Sequence, residues 1–433
     1  MELTAAADVW APIIYDTSKP PTLGATLDIE SDPEFLNNFP RNAKWSVSPD
    51  GSVLLAQCEN NTLQVINILL HSAICKTARL FNQPAPILDF IWYPTATPLD
   101  PASFCFIASV RECPVKLLDA SDGRLRASYR IVDHRERQIA PHSLSFNPTA
   151  HKLYCGFEDA IEIFDLSRPG EGTRLHTTPS KKSKDGLKGI ISAITFSPSY
   201  NGEGFFYAAG SFSPTSSNIA MFSDQQEHPL MFVQGGPRAG LQFNPTKPHI
   251  LYAAYRGSAN GSVYSWDIRS HIDSPLEIFT VPSTKSHEST GLASYETTRN
   301  QKMRFDIDPF GQLLSIGDQV GNISIFDLAY PEVFGDEGHE AYDINDAQVR
   351  GPKLWYKAHN DAVGATVFHP LMPSLLSGSG SRHFLEDDDD DDSSSDEEST
   401  PINNQATVRR RKRPRPVTVD PSIKIWDFGP SGA

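Results

Sequence analysis

A three-residue pattern, a bulky apolar residue, one spacer and a proline, recurs seven times along these 433 residues. It stands at Val47-Ser48-Pro49, Trp92-Tyr93-Pro94, Phe146-Asn147-Pro148, Phe196-Ser197-Pro198, Phe243-Asn244-Pro245, Ile307-Asp308-Pro309 and Phe368-His369-Pro370. A second signature follows each copy, a bulky residue ahead of a small polar one. It reads Ile66-Asn67, Leu118-Asp119, Phe164-Asp165, Phe222-Ser223, Trp266-Asp267, Phe326-Asp327 and Trp426-Asp427. Successive prolines are 45, 54, 50, 47, 64 and 61 residues apart. A chain that repeats itself on this scale folds as an array of similar units, and no unit can bury its own faces alone.

The period is that of WD repeats stretched by loops, so the expected fold is all-β: a seven-bladed WD-repeat β-propeller. Each unit reads as an antiparallel meander. The proline has no N–H to give a ladder and marks a strand end. Turns such as Pro49-Asp50-Gly51 and Pro309-Phe310-Gly311 lead into apolar second strands at Ser52–Ala56, Lys152–Cys155 and Gln312–Ile316. Third strands alternate with a period of two, as in Ile161-Glu162-Ile163-Phe164 and Ile423-Lys424-Ile425-Trp426. Only six residues follow Asp427, too few for a returning strand. The N-terminus must therefore complete the last blade, with Leu23–Ile29 the first candidate and Trp10–Tyr15 the second. Pairing the two ends removes exposed sheet edges. The expected organisation is an N-terminal arm over 1–40, partly strand, and a propeller over 41–429 that carries a disordered insertion at 386–417.

That insertion holds ten acidic groups in Glu386–Glu398 and six basic ones at Arg409, Arg410, Arg411, Lys412, Arg413 and Arg415. Blocks of like charge repel and bury nothing, hence the expectation of disorder. The basic run fits a nuclear localisation signal read by an import receptor. Ser393, Ser394 and Ser395 each have an acidic residue three positions on and are candidate phosphorylation sites for an acidophilic kinase.

The formal charge of −15 excludes indiscriminate nucleic-acid binding through bulk charge, so any such contact needs a local patch. Five cysteines without C-x-x-C spacing read as free thiols in a reducing compartment. No apolar run approaches the ~20 residues that span a bilayer, so no membrane role is expected. The chain has no phosphate-cradling GxxxxGK[ST], HExxH, zinc spacing or GxSxG elbow, and Asp306 with Asp308 reads as a solvated or turn-capping pair. No catalytic residue, metal, cofactor or small-molecule substrate is expected: the chain reads as a binder of partners rather than an enzyme.

Several segments are more specific than the repeat. Ala140–Pro148, Leu153–Phe157, Arg168-Pro169-Gly170, Gly189–Pro198 and Asn300–Pro309 closely resemble the telomerase Cajal body protein family, as do Pro33–Phe39 ahead of Trp45 and the acidic tract after Ser379–Phe384. The resemblance runs from about Pro33 to Glu398. It implies a WD-repeat protein that binds small nuclear RNAs, including box H/ACA guide RNAs and telomerase RNA. It implies recognition of a short loop motif, the CAB box, and delivery of the ribonucleoprotein to Cajal bodies. The location implied is the nucleus, with shuttling through the cytoplasm, and the partners are small nuclear RNA (H/ACA or spliceosomal) and RNP proteins.

The residues support this independently. In a meander the second-to-third loops and the inter-blade loops share one face. Those loops carry Arg111, Arg137, Lys181, Lys182, Lys184, Lys188, Arg238, Arg256, Arg299, Lys302 and Arg382, with Phe157, Tyr255 and Phe384 close in sequence. Cations that track a backbone beside planes that stack bases are what single-stranded RNA recognition requires. Carboxylates share the same loops (Glu112, Glu136, Glu158, Asp159, Asp185 and Glu296). Arg269 is expected to pair with an acidic group between blades. The competing reading is a protein-interaction scaffold in pre-mRNA splicing or snRNP biogenesis without direct RNA contact.

Overall fold

The computed structural model describes residues 13–29, 35, 37–46, 51–69, 74–180, 182–183, 185–198, 204–213, 217–234, 238–255, 262–270, 272–282, 301–329, 347–384 and 416–429; for 69, 74–78 and 238–239 it describes the backbone only. Every element is a strand, and seven sheets form a closed β-propeller. Blade 1 comprises Pro40–Trp45, Val53–Cys58, Thr62–Leu69 and Ile74–Asn82. Blades 2 to 6 repeat the plan, and their innermost strands are Ile87–Trp92, Ser143–Phe146, Ile191–Phe196, Arg238–Phe243 and Phe305–Ile307. Blade 7 takes Val363–Phe368, Ser374–Ser379 and Ser422–Asp427 from the end of the chain. Its outer strand is Thr22–Asp28, antiparallel to Ser422–Asp427 with Leu27 opposite Ile423. The first of the two candidate closing segments is therefore the one used. Tyr15, from the second, packs edge-on to Phe368 and Phe428.

The two repeated signatures have a common cause. In the first, the apolar residue enters the core (Phe146, Phe243, Ile307 and Phe368 are buried), while the polar spacer caps the turn behind it. Asn147 Oδ1 accepts the N–H groups of His151 and Lys152, and Asn244 Oδ1 those of Thr246 and Lys247. Asp308 takes Phe310, Gln312 and Leu313, and His369 Nδ1 takes Leu371 and Met372. Asp308 is thus turn-capping, as expected; Asp306 is half-buried and accepts hydrogen bonds from the two neighbouring blades. In the second signature, Asp119, Asp165, Asp267, Asp327 and Asp427 each accept the N–H two residues on. These Asx turns offer the backbone a partner where the strand must stop. Arg269 pairs with Asp267 at 2.8 Å within such a turn, which brings the two side chains together.

Seven hydrophobic clusters hold the ring, one between each pair of neighbouring blades. The cluster that closes it joins Leu27, Leu376, Ile423 and Ile425 of blade 7 to Ala43, Trp45, Leu54 and Ile66 of blade 1. Fully burying one large apolar side chain contributes roughly 1.5–3 kcal/mol, so stability is spread around the circle. Blade 5 departs from the four-stranded expectation. Gln348–Arg350, from the connection inside blade 6, adds a parallel fifth strand to Glu277–Phe279. A half-buried Arg350 fixes it by an ion pair to Glu277 at 3.1 Å. Cys58, Cys105, Cys113 and Cys155 are free thiols.

Candidate nucleic-acid interface

Hydrogen bonds between loop types show that the second-to-third loops and the inter-blade loops lie on one face. Gln83 N–H donates to Asn61, Arg111 N–H to Pro86, Asp159 N–H to Gly189, Ala358 N–H to Gly321 and Gly380 N–H to Ala362. Five blades thereby knit their two loop types together. Among the described residues, Arg111, Arg137, Lys182, Lys188, Lys302 and Arg382 of the cations singled out from the sequence sit in these loops.

At its centre, the segment Gln301–Arg304 lies over the mouth of the channel. Gln301 Nε2 donates to the Gly380 carbonyl of blade 7 at 2.9 Å, while Lys302 Nζ reaches the Ser192 carbonyl of blade 4 at 3.2 Å. Arg304 N–H bonds the Gly364 carbonyl at 3.0 Å. Around it stand Lys44 and Arg41 on the innermost strand of blade 1 and Arg111 just past the second strand of blade 2. These cations are electrostatically close. Burial, then the neighbouring Arg111, lowers the pKa of Arg41. Arg304 is lowered by burial and by Arg41, against an opposing pull from Asp89. Burial likewise lowers Lys44, whose Nζ donates to the Phe90 carbonyl at 2.8 Å. His142 is pushed down by burial, Lys302 and Arg111. Deeper in the channel, burial raises the Asp306 carboxyl to about 7, although it accepts bonds from Phe368 N–H and Gln242 Nε2. Sequence reading missed Arg41, Lys44 and Arg304, since each sits in or beside a strand that reads as core.

The other expected residues divide into groups. Lys182 is exposed, and Lys188 and Lys302 are half-buried on the same face. Arg137 is exposed and paired with Asp133 at 2.7 Å. Arg382 pairs with Glu59, whose other oxygen lies 3.3 Å from Arg41 Nε, so one buried carboxylate ties blade 7 to blade 1. Phe384 is 61% exposed and pairs with Pro416 in the short ladder His383–Phe384/Pro416–Val417. Tyr255 is half-buried, edge-on to Tyr264. Phe157 is 4% exposed with Arg174 over its ring, so it packs in the core instead of offering a plane to a base as expected. The reason is its place at the end of the second strand of blade 3, where its side chain packs into the cluster shared with blade 2. Lys181, Lys184, Arg256, Arg299, the side chain of Arg238, the basic run Arg409–Arg415 and Ser393–Ser395 lie outside the described residues.

Blade 7 also contains a polar network. Trp426 Nε1 donates to Ser377 Oγ at 2.8 Å, and His359 Nε2 meets the same oxygen at 2.7 Å. On its other nitrogen, His359 faces Ser422 Oγ at 3.2 Å and Asp420 at 3.5 Å. Burial pushes the His359 imidazole down to about 4, with Lys424 adding to it. Nearby, Ser381 Oγ and both Asp361 oxygens converge on His383 Nε2 at 3.0 Å. These contacts fasten the stem of the insertion: Asp361 also accepts Val419 N–H and Ser381 Oγ–H. Among the described residues no group of three or more His, Cys, Asp or Glu is placed to hold a metal ion, and no helix is long and apolar enough to cross a membrane.

Seven meanders, Asx turns after five of the third strands, and a Trp–Ser–His–Asp network in the last blade define a WD-repeat β-propeller. No family model matches the chain. It is 31% identical over 363 residues to telomerase Cajal body protein 1 of Mesocricetus auratus, covering 81% of this chain and 59% of that protein. To the Homo sapiens protein of the same name it is 29% identical over 376 residues, 84% of this chain and 60% of the relative. A more distant relative is guanine nucleotide-binding protein negative regulator 1 of Schizosaccharomyces pombe, 25% identical over 68% of this chain and 72% of that protein. Over its propeller the chain is similar to proteins named telomerase Cajal body protein 1, and it spans about three-fifths of the length of these two relatives.

Proposed function

We propose that the protein is a non-catalytic nuclear adaptor that binds a loop of a small nuclear RNA on the propeller's loop face and directs assembly or localisation of the ribonucleoprotein. The observation that carries this reading is the sequence relationship, over most of the chain, to proteins named for telomerase and the Cajal body. The physical support is the gathering of Arg41, Arg111, Lys302 and Arg304 at the channel mouth, with Lys182 and an exposed Phe384 farther out on the same face. Phosphates need cations and unstacked bases need planes. The basic run Arg409–Arg415 serves as the import signal in this reading, and Ser393–Ser395 as phosphorylation sites.

Crosslinking in cells followed by sequencing of the bound RNA tests it. Enrichment of box H/ACA, telomerase-type or spliceosomal small RNAs is the expected result. Recovery at background level overturns it in favour of a second reading, a protein-interaction scaffold. That reading draws on the fission-yeast relative, whose name denotes regulation of a guanine nucleotide-binding protein and not an RNA.

A further inference from the structure

We infer that the mouth of the central channel is a binding site for a phosphate group, built by Arg41, Arg111 and Arg304 with Lys302 beside them. This deepens the RNA reading, and rests on it only for the source of the phosphate.

Three observations converge. First, the donors are not used up. Arg304 Nε is buried and has no acceptor, and no carboxylate among the described residues forms an ion pair with the exposed Arg111. Second, the groups are preorganised by backbone bonds. Arg111 is pinned through its N–H to Pro86, Arg304 through its N–H to Gly364, and Lys302 is anchored across the mouth to Ser192. Third, the cations burden one another: burial and mutual repulsion depress Arg41 and Arg304. An oxyanion placed among them relieves that repulsion, and its several oxygens suit planar guanidinium donors.

The acidic groups nearby do not cancel the site. Glu59 is engaged by Arg41 and Arg382 at the rim. Asp89 is buried, with one oxygen bonded to Leu144 N–H, and faces Lys44, Arg304 and His142. Asp306 is held partly protonated near neutral pH. Glu112 flanks Arg111 in sequence and is exposed. Against these stand Arg41, Lys44, Arg111, Lys302, Arg304 and Arg382, so the mouth attracts an anion.

The test uses the whole chain and two probes. Thermal unfolding is followed with inorganic phosphate against chloride at constant ionic strength. Binding of a short single-stranded RNA is measured as a function of salt. The principal variant is Arg111→Ala, on an exposed loop where loss of the side chain leaves the fold unchanged; Arg304→Gln is the second, checked for a native unfolding transition. Phosphate is expected to raise Tm in the wild type and not in Arg111→Ala. RNA affinity is expected to fall about three- to tenfold in the variant, and the log–log salt slope to shrink by about one. If phosphate protects the wild type but no RNA binds, the phosphate site stands and the RNA reading falls. If phosphate protects both proteins equally, or neither, the site is refuted whatever RNA does.

Discussion

His359 Nε2 and Ser377 Oγ lie 2.7 Å apart, and the indole N–H of Trp426 donates to the same hydroxyl at 2.8 Å. The hydroxyl joins an inter-blade loop to the third strand of blade 7, whose Trp426 lies 49 residues beyond Ser377. Trp266 occupies the equivalent strand of blade 5 and is fully buried, yet its Nε1 has no acceptor. The two tryptophans therefore share packing and differ in hydrogen bonding.

Tryptophan to phenylalanine at the two positions separates these contributions. Trp426→Phe is expected to cost about 1–2 kcal/mol more than Trp266→Phe, because it strands Ser377 and His359 as well as losing buried area. Trp266→Phe also removes an unsatisfied donor. Chemical denaturation of both variants checks the difference, and equal losses would show that the blade 7 network adds nothing beyond packing.

Ring closure by Thr22–Asp28 makes a second demand. Leu27 is 4% exposed and packs with Trp45, Leu54 and Ile423 in the cluster that joins the ends of the circle. Leu27→Ala is expected to lose roughly 2–5 kcal/mol, whereas Leu23→Ser, at a 51% exposed position of the same strand, changes little. Removal of residues 1–35 opens blade 7 and lowers Tm further. Unaltered thermal unfolding of that truncation would mean the circle closes without its last strand.

Glu59 supports the same closure from the loop face. Its side chain is 3% exposed and holds Arg41 and Arg382 from opposite ends of the chain. Glu59→Gln leaves two guanidiniums without their carboxylate, an expected loss of about 1–3 kcal/mol that added salt reduces little because the carboxylate is buried. Denaturation at low and high salt reads this out; a loss that vanishes at high salt would make the pair a surface contact.

How much of this was legible beforehand depends on the range of the interaction. The blade count and the closing strand follow from local patterns, because Phe146-Asn147-Pro148 and Phe164-Asp165 encode a core position, a turn cap and a strand stop within a few residues. Arg137 and Asp133 are four residues apart, so their pairing is a local matter too. Arg382 and Glu59 are 323 residues apart, and nothing in the alternation of either strand announces that they meet. Phe157 looks like a loop-face aromatic until the neighbouring blade and Arg174 cover it. Conversely, Arg304 and Arg41 read as breaks in core strands, because a linear pattern does not say which strand end opens onto the channel. The parallel strand Gln348–Arg350 was invisible for the same reason, its partner Glu277–Phe279 belonging to another blade.

Two groups give the fold opposite pH dependences. The folded His359 has its pKa lowered from 6.5 to about 4, so the unfolded chain binds more protons between those values. Its contribution is complete above about 6.5 and is lost as pH falls toward 4, a stability that rises with pH by up to about 1.4 kcal/mol per unit. Asp306 is raised from 3.8 to about 7, so here the folded state binds more protons. Its contribution is complete below about 3.8 and is lost as pH rises through 7. Between 4 and 6.5 the two slopes oppose each other. Relative to wild type, His359→Gln is expected to make stability fall with rising pH in that window, and Asp306→Asn to make it rise. Denaturant midpoints measured at half-unit steps from pH 4 to 7.5 resolve both signs. A variant whose profile runs parallel to the wild type shows that its group does not titrate differently in the two states.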